Sequence, residues 1–327
     1  MNIYYRLEDI PPTLRDTVVT IGSFDGVHRG HQKIFEQVCR TSRAGEVELP
    51  RVVVTFEPHP RLVLAAMAAA AGKPPTDNEK LELLTTLDEK AYWIAKFGID
   101  HLIVVPFDLA FANQSSEEYI RDFLVKRLHP KHLIIGYDHR FGHRRGGSIE
   151  YLREMSGQFG YQVHEIPAAD IDNIKISSTE IRHALRQGDA RRATHLLGHT
   201  FQLSGEVVYG RQLGRTIGFP TANLDFSRQP HKLIPMLGIY SATVRIGTDS
   251  HKGMLYIGQR PTLDDNLEAS VEVNIFDFKD NIYGQTISID VLHFLRQEAK
   301  FEDLKALRQQ LKRDKVQALS SLRDLKL

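Results

Sequence analysis

The chain has 327 residues, enough for two domains of about 100–200 residues each. Charged residues make up 25% and hydrophobic ones 42%, which excludes a disordered, collagenous or rod-like chain. Lys plus Arg number 42 against 41 Asp plus Glu, and a net charge of +1 argues against nucleic acid as a partner while allowing a local anion site.

A single cysteine, Cys39, excludes an intrachain disulfide framework and a multi-cysteine metal site. The longest apolar run, Leu62 to Ala71, has ten residues. A bilayer-spanning helix needs roughly 20, so no membrane partner is expected. The stretch Met1 to Glu8 lacks the pattern of a secretory signal. The expected location is cytoplasmic.

Along the first half, strands and helices alternate. Val18 to Ile21 is a short apolar run suited to a buried strand, and a glycine-rich loop leads into a helix over about Gln32 to Arg43. Arg51 to Phe56 is the next strand, ended by the stiff loop of Pro58 and Pro60. The spacing predicts a helix over 78–97, a strand over Leu102 to Val105 and a helix over Ser116 to Leu128 capped by Ser115 or Ser116. His132 to Ile135 and Tyr161 to Ile166 read as strands on either side of a helix over Ile149 to Phe159. Such alternation implies a parallel sheet covered on both faces, with ligands at the carboxyl ends of its strands.

After about residue 189 the pattern changes to short strands with frequent turns: Phe201 to Val208, Ile239 to Ile246, Gly253 to Ile257, Ala269 to Phe278 and Thr286 to Leu295. This predicts a small antiparallel barrel or sandwich. Phe301 to Leu325 reads as helical, with Asp314 capping a second short helix. The expected fold is therefore α/β, a parallel-sheet domain over 1–188 followed by a small antiparallel β-barrel with terminal helices over 189–327.

The strongest local signal is Gly22-Ser23-Phe24-Asp25-Gly26-Val27-His28-Arg29-Gly30-His31, between a buried strand and a helix. A helix N-terminus offers unpaired N–H groups and partial positive charge to a phosphate. His28 and His31, three apart, share one face of the first turn and suit a nucleoside triphosphate whose leaving pyrophosphate gathers charge. Backbone capping and a metal site are the competing readings of the pair; its place on a strand–loop–helix turn favours phosphate. Phe56-Glu57-Pro58-His59-Pro60 follows another strand at the same sheet edge and by itself reads as a rigid turn with an exposed histidine. Gly136-Tyr137-Asp138-His139-Arg140-Phe141-Gly142 follows a third strand at that edge, either as an ordinary charged loop or as a site for a planar ring with a phosphate. Ser177-Ser178-Thr179-Glu180-Ile181-Arg182 opens a further helix, either as a plain cap or as a second anion cradle. There is no Walker A pattern and no G-x-G-x-x-G after a strand.

In this order the four pieces resemble the bacterial FAD synthetases, the nucleotidyltransferase half of bifunctional riboflavin kinase/FMN adenylyltransferases. The resemblance implies an H-x-G-H nucleotidyltransferase fold in which Gly22, Phe24, Asp25, His28 and His31 contact ATP, with the two histidines catalytic. It implies that Ser178, Thr179 and Arg182 clasp the phosphates from the other side. Phe56, Pro58 and His59 of one loop and Asp138, Phe141 and Gly142 of the other would flank the flavin. His139 departs from the family, which more often has Phe there.

In the second half, four glycines, 205, 210, 214 and 218, recur through Gly205 to Leu224, with Arg211 and Arg215 adding charge. Thr221 and Asn223 place two neutral oxygens on one side of an extended segment, plausible partners for Mg²⁺. Strand Ala269 to Phe278 sets Val271, Val273 and Ile275 on one face, for the barrel core or the tail helix, and Glu272, Asn274 and Phe276 on the other. A carboxylate there is either a solvated residue or a general base. The stretch Gly205-Glu206-Val207 through Gly214-Arg215 to Gly218-Phe219-Pro220-Thr221-Ala222-Asn223-Leu224 resembles riboflavin kinase, as do Gly258-Gln259-Arg260-Pro261-Thr262 and Val271-Glu272-Val273. The resemblance implies that Gly210, Leu213, Gly214, Arg215, Gly218, Phe219, Pro220 and Arg260 form the loops around nucleotide and flavin. It further implies that Thr221 and Asn223 bind Mg²⁺-ATP and that Glu272 deprotonates the ribityl 5′-hydroxyl. Asn274 stands where the family often has His.

Both resemblances together cover about residues 18–325. They imply phosphorylation of riboflavin by ATP to FMN and ADP, then adenylylation of FMN by a second ATP to FAD and pyrophosphate, with Mg²⁺ in both steps. The rivals are an adenylyltransferase for another phosphorylated acceptor with a flavin-binding barrel, a relative of class I aminoacyl-tRNA synthetases, and a non-enzymatic flavin carrier.

Overall fold

A computed structural model describes residues 1–73, 81–137, 139–143, 146–167, 170–171, 174–210, 212–261 and 267–323. Its contacts divide the chain into two compact units. One comprises Met1–Leu81 and Leu87–Ile176, the other Glu82–Thr86 and Ser177–Leu327.

The first unit is built on a six-stranded sheet of β1 (Asn2–Tyr4), β2 (Thr17–Ile21), β3 (Arg51–Glu57), β4 (His101–Pro106), β5 (Pro130–Gly136) and β6 (Gln162–Ile166). Its order is β1-β4-β3-β2-β5-β6 and every pairing is parallel. Strands buried on both faces need apolar side chains at successive positions. Val18, Val53, Leu102, Val104 and Ile134 enter one apolar layer. Val19, Ile21, Val52, Val54, Ile103, Val105, Leu133 and Ile135 enter the other. β1 was not expected from the sequence; three residues are too few to carry a periodic signal.

Helix α1 (Arg29–Ser42) follows β2, and α2 (Pro60–Ala70) follows β3 with Pro60 in its first turn. The sequence suggests only a stiff loop at 58–60, but proline tolerates the first helical turn because its missing N–H would be unpaired there. α3 spans Leu87–Ala95, much shorter than the expected 78–97. Within 81–86 the backbone bonds elsewhere: Leu83 N–H donates to His231 O (2.6 Å) and Leu83 O accepts from Leu233 N–H (2.8 Å), inside the second unit. Positions 78–80 lie outside the described residues. α4 (Leu109–Ala112) precedes α5 (Ser116–Glu118), which Ser115 caps and which runs on as a π-helix over Tyr119–Leu128. α6 (Ile149–Phe159) matches its expected bounds, and a two-stranded hairpin of β7 (Asp170–Ile171) and β8 (Ile174–Lys175) ends the unit.

The second unit begins with α7 (Ser178–Arg186) and α8 (Ala190–Leu197), which pack on each other. Strands β9 (Phe201–Val208), β10 (Ala222–Asp225), β11 (Gly238–Ile246), β12 (Asp249–Pro261), β13 (Leu267–Ile275) and β14 (Thr286–Arg296) close a six-stranded antiparallel barrel in the order β10-β13-β12-β11-β14-β9. β10 hides in the sequence because it is four residues long and follows a glycine-rich loop. A short helix, α9 (Leu213–Thr216), lies within that loop. Opposite residues in the register share a face, so Leu224, Val271, Ile257, Leu255, Val273 and Tyr240 point into the barrel. Val271 and Val273 therefore belong to the barrel core.

α10 (Leu304–Ser321) lies on the outer face over β11, β12 and β14. There Phe219, Ile239, Met254, Phe276 and Ala318 form a second apolar cluster. Asp314 does not cap a second helix. It sits in the middle of α10, fully buried, and accepts from Arg296 Nε (3.0 Å) and Nη2 (2.7 Å) and from Gln310 Nε2 (2.8 Å). Asp303 caps the helix instead. Removing one member of a buried ion pair strands the other, at a cost of about 3–5 kcal/mol. Asp314→Ala is expected to lower barrel stability by that order in urea denaturation.

Candidate active sites

In the first unit, the loops after β2, β3 and β5 and the segment following β4 converge on a cavity of about 410 Å³. Its polar side includes Gly22, Ser23, His31, His59 and Gly142, and its apolar side Phe24, Phe56, Phe107, Phe111 and Phe141. Phe56 packs edge-on to Phe107, with centroids 5.6 Å apart. His59, which as part of a plain turn would be exposed, is buried, and its Nδ1 accepts from Arg61 N–H (3.1 Å) as the cap of α2. Pro58 is exposed and does not line the cavity. Asp138 lies outside the described residues.

The loop between β2 and α1 is strained where it meets the cavity. Phe24 and Val27 hold φ of 46° and 43°, a region L-residues rarely adopt. Burial of both side chains, at 2% and 0% exposure, offsets the strain. His28 caps α1 and its Nδ1 accepts from His31 N–H at 3.4 Å, a long bond. A ring nitrogen that accepts carries no proton, so neutral His28 holds its proton on Nε2 and can donate there. The two imidazoles stack, centroids 3.6 Å apart, and the Phe24 ring meets His31 edge-on at 5.2 Å. Burial, with His28 and the Lys90 ammonium, holds His31 well below the ordinary imidazole range. His31 Nδ1 is buried with no hydrogen-bond partner. A buried polar atom left unpaired in a cavity wall is suited to a polar ligand. Asp25, on the same loop, is buried.

In the second unit, Glu272 points off the outer face of the barrel, not into its core. In the register it lies opposite Asn223, so these two share a face. Thr221 Oγ1 donates to Glu272 Oε2 (2.9 Å) and Ser270 Oγ donates to Oε1 (3.2 Å). Asn274 Nδ2 donates to Pro220 O (2.6 Å), tying the end of the glycine-rich loop to β13. Glu272 opens into a cavity of about 430 Å³ between the barrel wall and the α10 segment. Phe219, Met254, Phe301, Leu307 and Leu311 form its apolar side. A second cavity of about 590 Å³ lies at the barrel mouth, lined by Tyr209, Arg215, Lys279 and Tyr283. Thr221 and Pro220 line that mouth, and Thr221 lines both cavities.

The glycines of the loop are required by close approach. A Cβ on Gly214 would collide with the Phe219 carbonyl, and one on Gly210 with the Asn223 side-chain amide. Gly218 turns the chain at φ 82°. Arg215 is exposed and donates to Tyr283 Oη (3.4 Å). Tyr209 and Tyr283 stack with centroids 3.9 Å apart. Arg211, Thr262 and the side chains of Leu213 and Arg260 lie outside the described residues.

Family models bring the two halves together. The FAD synthetase model matches residues 10–180 and the riboflavin kinase model residues 197–322. The chain belongs to the bifunctional riboflavin kinase/FMN adenylyltransferase family. It is 37% identical to the family's Haemophilus influenzae protein, across 96% of this chain and 97% of that one. With the Listeria monocytogenes protein it shares 37% identity over 91% and 90% of the two chains. With the Escherichia coli K12 protein it shares 36% over 92% and 91%. A crystal structure from Streptococcus pneumoniae, described as a macrolide-efflux protein, superposes with a TM-score of 0.83 at 31% identity over 99% of each chain. Among the described residues of this chain no helix is long and apolar enough to cross a membrane.

Within this family frame, Ser178, Thr179 and Arg182 fall in the second unit. Ser177, not Ser178, caps α7, its hydroxyl accepting from Glu180 N–H (3.3 Å). The Ser178 and Thr179 hydroxyls thus stand in the first turn. Arg182 is buried, its Nε donating to Glu82 O (2.6 Å).

Two residues at or near this site were not anticipated, Tyr119 on the cavity wall and Lys90 beneath the β2–α1 loop. Tyr119 lines the first-unit cavity, stacked on Phe141 at 4.8 Å, and its buried hydroxyl has no partner. Burial pushes that hydroxyl's pKa up, so it stays protonated. Lys90 is buried beneath the same loop. Each had a faint signal, a polar atom inside an apolar helical stripe.

Proposed function

We propose that the chain carries out its family's two reactions at the two separate sites, phosphorylating riboflavin at Glu272 and adenylylating FMN at the His28–His31 loop. The observation carrying the kinase assignment is the Thr221–Glu272 hydrogen bond, because Thr221 borders both the apolar cavity and the barrel mouth. A flavin ring fits the apolar cavity, and a nucleotide fits the mouth with its Arg215, Lys279 and tyrosine pair.

In the kinase step Glu272 accepts the proton of the ribityl 5′-hydroxyl. The hydroxyl oxygen then bonds to the γ-phosphorus, and the bond from that phosphorus to ADP breaks. Donors on both carboxylate oxygens fix the orientation of Glu272 before substrate arrives. Thr221 spends its proton on Glu272 and keeps its lone pairs. Asn223 is held by close packing on Gly210. Two neutral oxygens beside a carboxylate fit Mg²⁺, so Thr221 and Asn223 are the residues that would hold it. When bound, the ion would neutralise charge on the phosphates.

In the second step a phosphate oxygen of FMN attacks the α-phosphorus of ATP, and pyrophosphate leaves. The nucleophile is already anionic, so positioning and charge stabilisation supply most of the rate. His28 Nε2 and His31 are the donors proposed for the phosphates, with Gly22 and Phe24 shaping the approach and Asp25 buried on the same loop. Phe56, His59, Phe141 and Gly142 are proposed to hold the flavin. The assignment of Ser178, Thr179 and Arg182 to ATP rests on the family likeness and on the first-turn position of the Ser178 and Thr179 hydroxyls in α7, of which Thr179 is exposed.

Incubation with riboflavin, ATP and Mg²⁺, with the flavins resolved by chromatography, should yield FMN and then FAD. Absence of either product sinks the corresponding assignment. Tyr119→Phe is expected to raise KM for FMN about 2–10-fold, the value of one hydrogen bond, in steady-state assays of FAD formation. KM for ATP and the kinase reaction should not change.

A further inference from the structure

The adenylylation site has a charge beneath it that the reaction as described does not use. Lys90 lies in the middle of α3 and is 3% exposed. Its Nζ donates to Thr55 Oγ1 (3.2 Å), and Thr55 Oγ1 donates in turn to Ser23 O (3.2 Å). Ser23 is the second residue of the loop that carries Phe24, Asp25, His28 and His31. A chain of two hydrogen bonds thus runs from α3 through β3 into the loop. Lys90 also faces Asp25 on the loop and Glu57 at the end of β3, and its charge is felt at His31. A buried ammonium is costly unless paired, and here Asp25, Glu57 and the Thr55 hydroxyl offset that cost.

We propose that Lys90 is a positioning residue for adenylyl transfer. It fixes the Ser23–Asp25 stretch through Thr55, and its positive charge adds to the larger effects of burial and His28 that lower the His31 imidazole. Both effects serve the same step. The loop's strained Phe24 must hold one geometry for the histidines to meet the phosphates. The groups that set the ionisation of His31 are its own burial, His28 on the same turn and Lys90 from α3. Those facing Lys90 are Asp25 and Glu57, which oppose the effect of its burial.

This inference rests on the proposed adenylylation at the His28–His31 loop. The test uses the full-length protein, with Lys90→Met and Lys90→Arg assayed for FMN to FAD and for riboflavin to FMN. The His31 imidazole is titrated by NMR in each. Lys90→Met is expected to lower kcat/KM for FAD formation at least about tenfold and to move the His31 titration upward, leaving the kinase reaction unchanged. Lys90→Arg keeps the charge and should recover part of the activity and the low His31 titration. Folded Lys90→Met with FAD formation within about twofold of the parent, or with an unmoved His31 titration, overturns the proposal. If Lys90→Met does not fold, Thr55→Val decides: it cuts the relay to Ser23, and unchanged FAD formation in that variant overturns the proposal. A parent protein that makes no FAD at all would instead defeat the site assignment itself.

Discussion

Glu272→Ala should lose riboflavin phosphorylation by about 10²–10⁴-fold in kcat, the usual contribution of a general base, while still converting supplied FMN to FAD. The geometry separates this from a loss of fold. Glu272 faces the cavity under α10, and the core positions on either side of it, Val271 and Val273, point into the barrel. Removing the carboxylate leaves the Thr221 and Ser270 hydroxyls without their acceptor, a cost of about 1–3 kcal/mol. Glu272→Gln controls for that cost. It keeps an acceptor oxygen and the shape of the side chain but cannot take a proton at neutral pH. Chromatography of the flavins should find both variants equally impaired as kinases. A Glu272→Gln variant with parental kinase rates would remove Glu272 from the chemistry.

His31→Ala should show the opposite pattern, accumulating FMN. A lost donor to a transition-state oxyanion costs about 10²–10³ in kcat. Stability should respond differently. The folded His31 titrates well below its ordinary 6.5, so below that pH the unfolded chain binds more protons than the folded one. The stability this group contributes is therefore present above 6.5 and is lost as pH falls from there toward the depressed folded value. His31→Ala should flatten that part of the pH dependence in urea denaturation. Parental FAD formation by His31→Ala would disprove its role. If Glu272→Ala and His31→Ala each lost both reactions while folded, the separation into two sites would be wrong.

Much of this was legible in the residues. Apolar runs bounded by turns marked β2, β3, β4 and β5, because strands buried on both faces have apolar side chains throughout. The alternation of β13 separated Glu272 from its core neighbours. The recurrence of glycines over 205–218 was visible, but that Gly210 and Gly214 have no room for a Cβ was not, because the Asn223 amide and the Phe219 carbonyl that crowd them come from later in the chain. The misses also have physical causes. The register of 81–86 is decided by backbone bonding to 231–233, a partner some 150 positions away in sequence. α2 was hidden because alanine and proline runs have no face, and caps rather than periodicity define its start. Asp314 resembled a cap because a lone Asp beside a helix usually is one; only the distant Arg296 explains its place mid-helix. Lys90 was overlooked for the same reason. It stands three residues after Leu87 and four before Ile94, inside the apolar stripe of α3, where a charge signals a buried partner.

The sequence alone determined the two-part α/β-plus-barrel architecture, the absence of disulfide and multi-cysteine metal sites, and the residue types at both candidate centres. These follow from local periodicity, turn chemistry and motif order, all written within a few dozen residues. Only the tertiary structure decided that Glu272 faces a cavity beneath α10, that Thr221 borders two cavities, that His31 has an unpaired buried nitrogen, and that Lys90 reaches the loop through Thr55. Burial, desolvation and pairing depend on which distant segments share a space, and no periodicity along the chain records that.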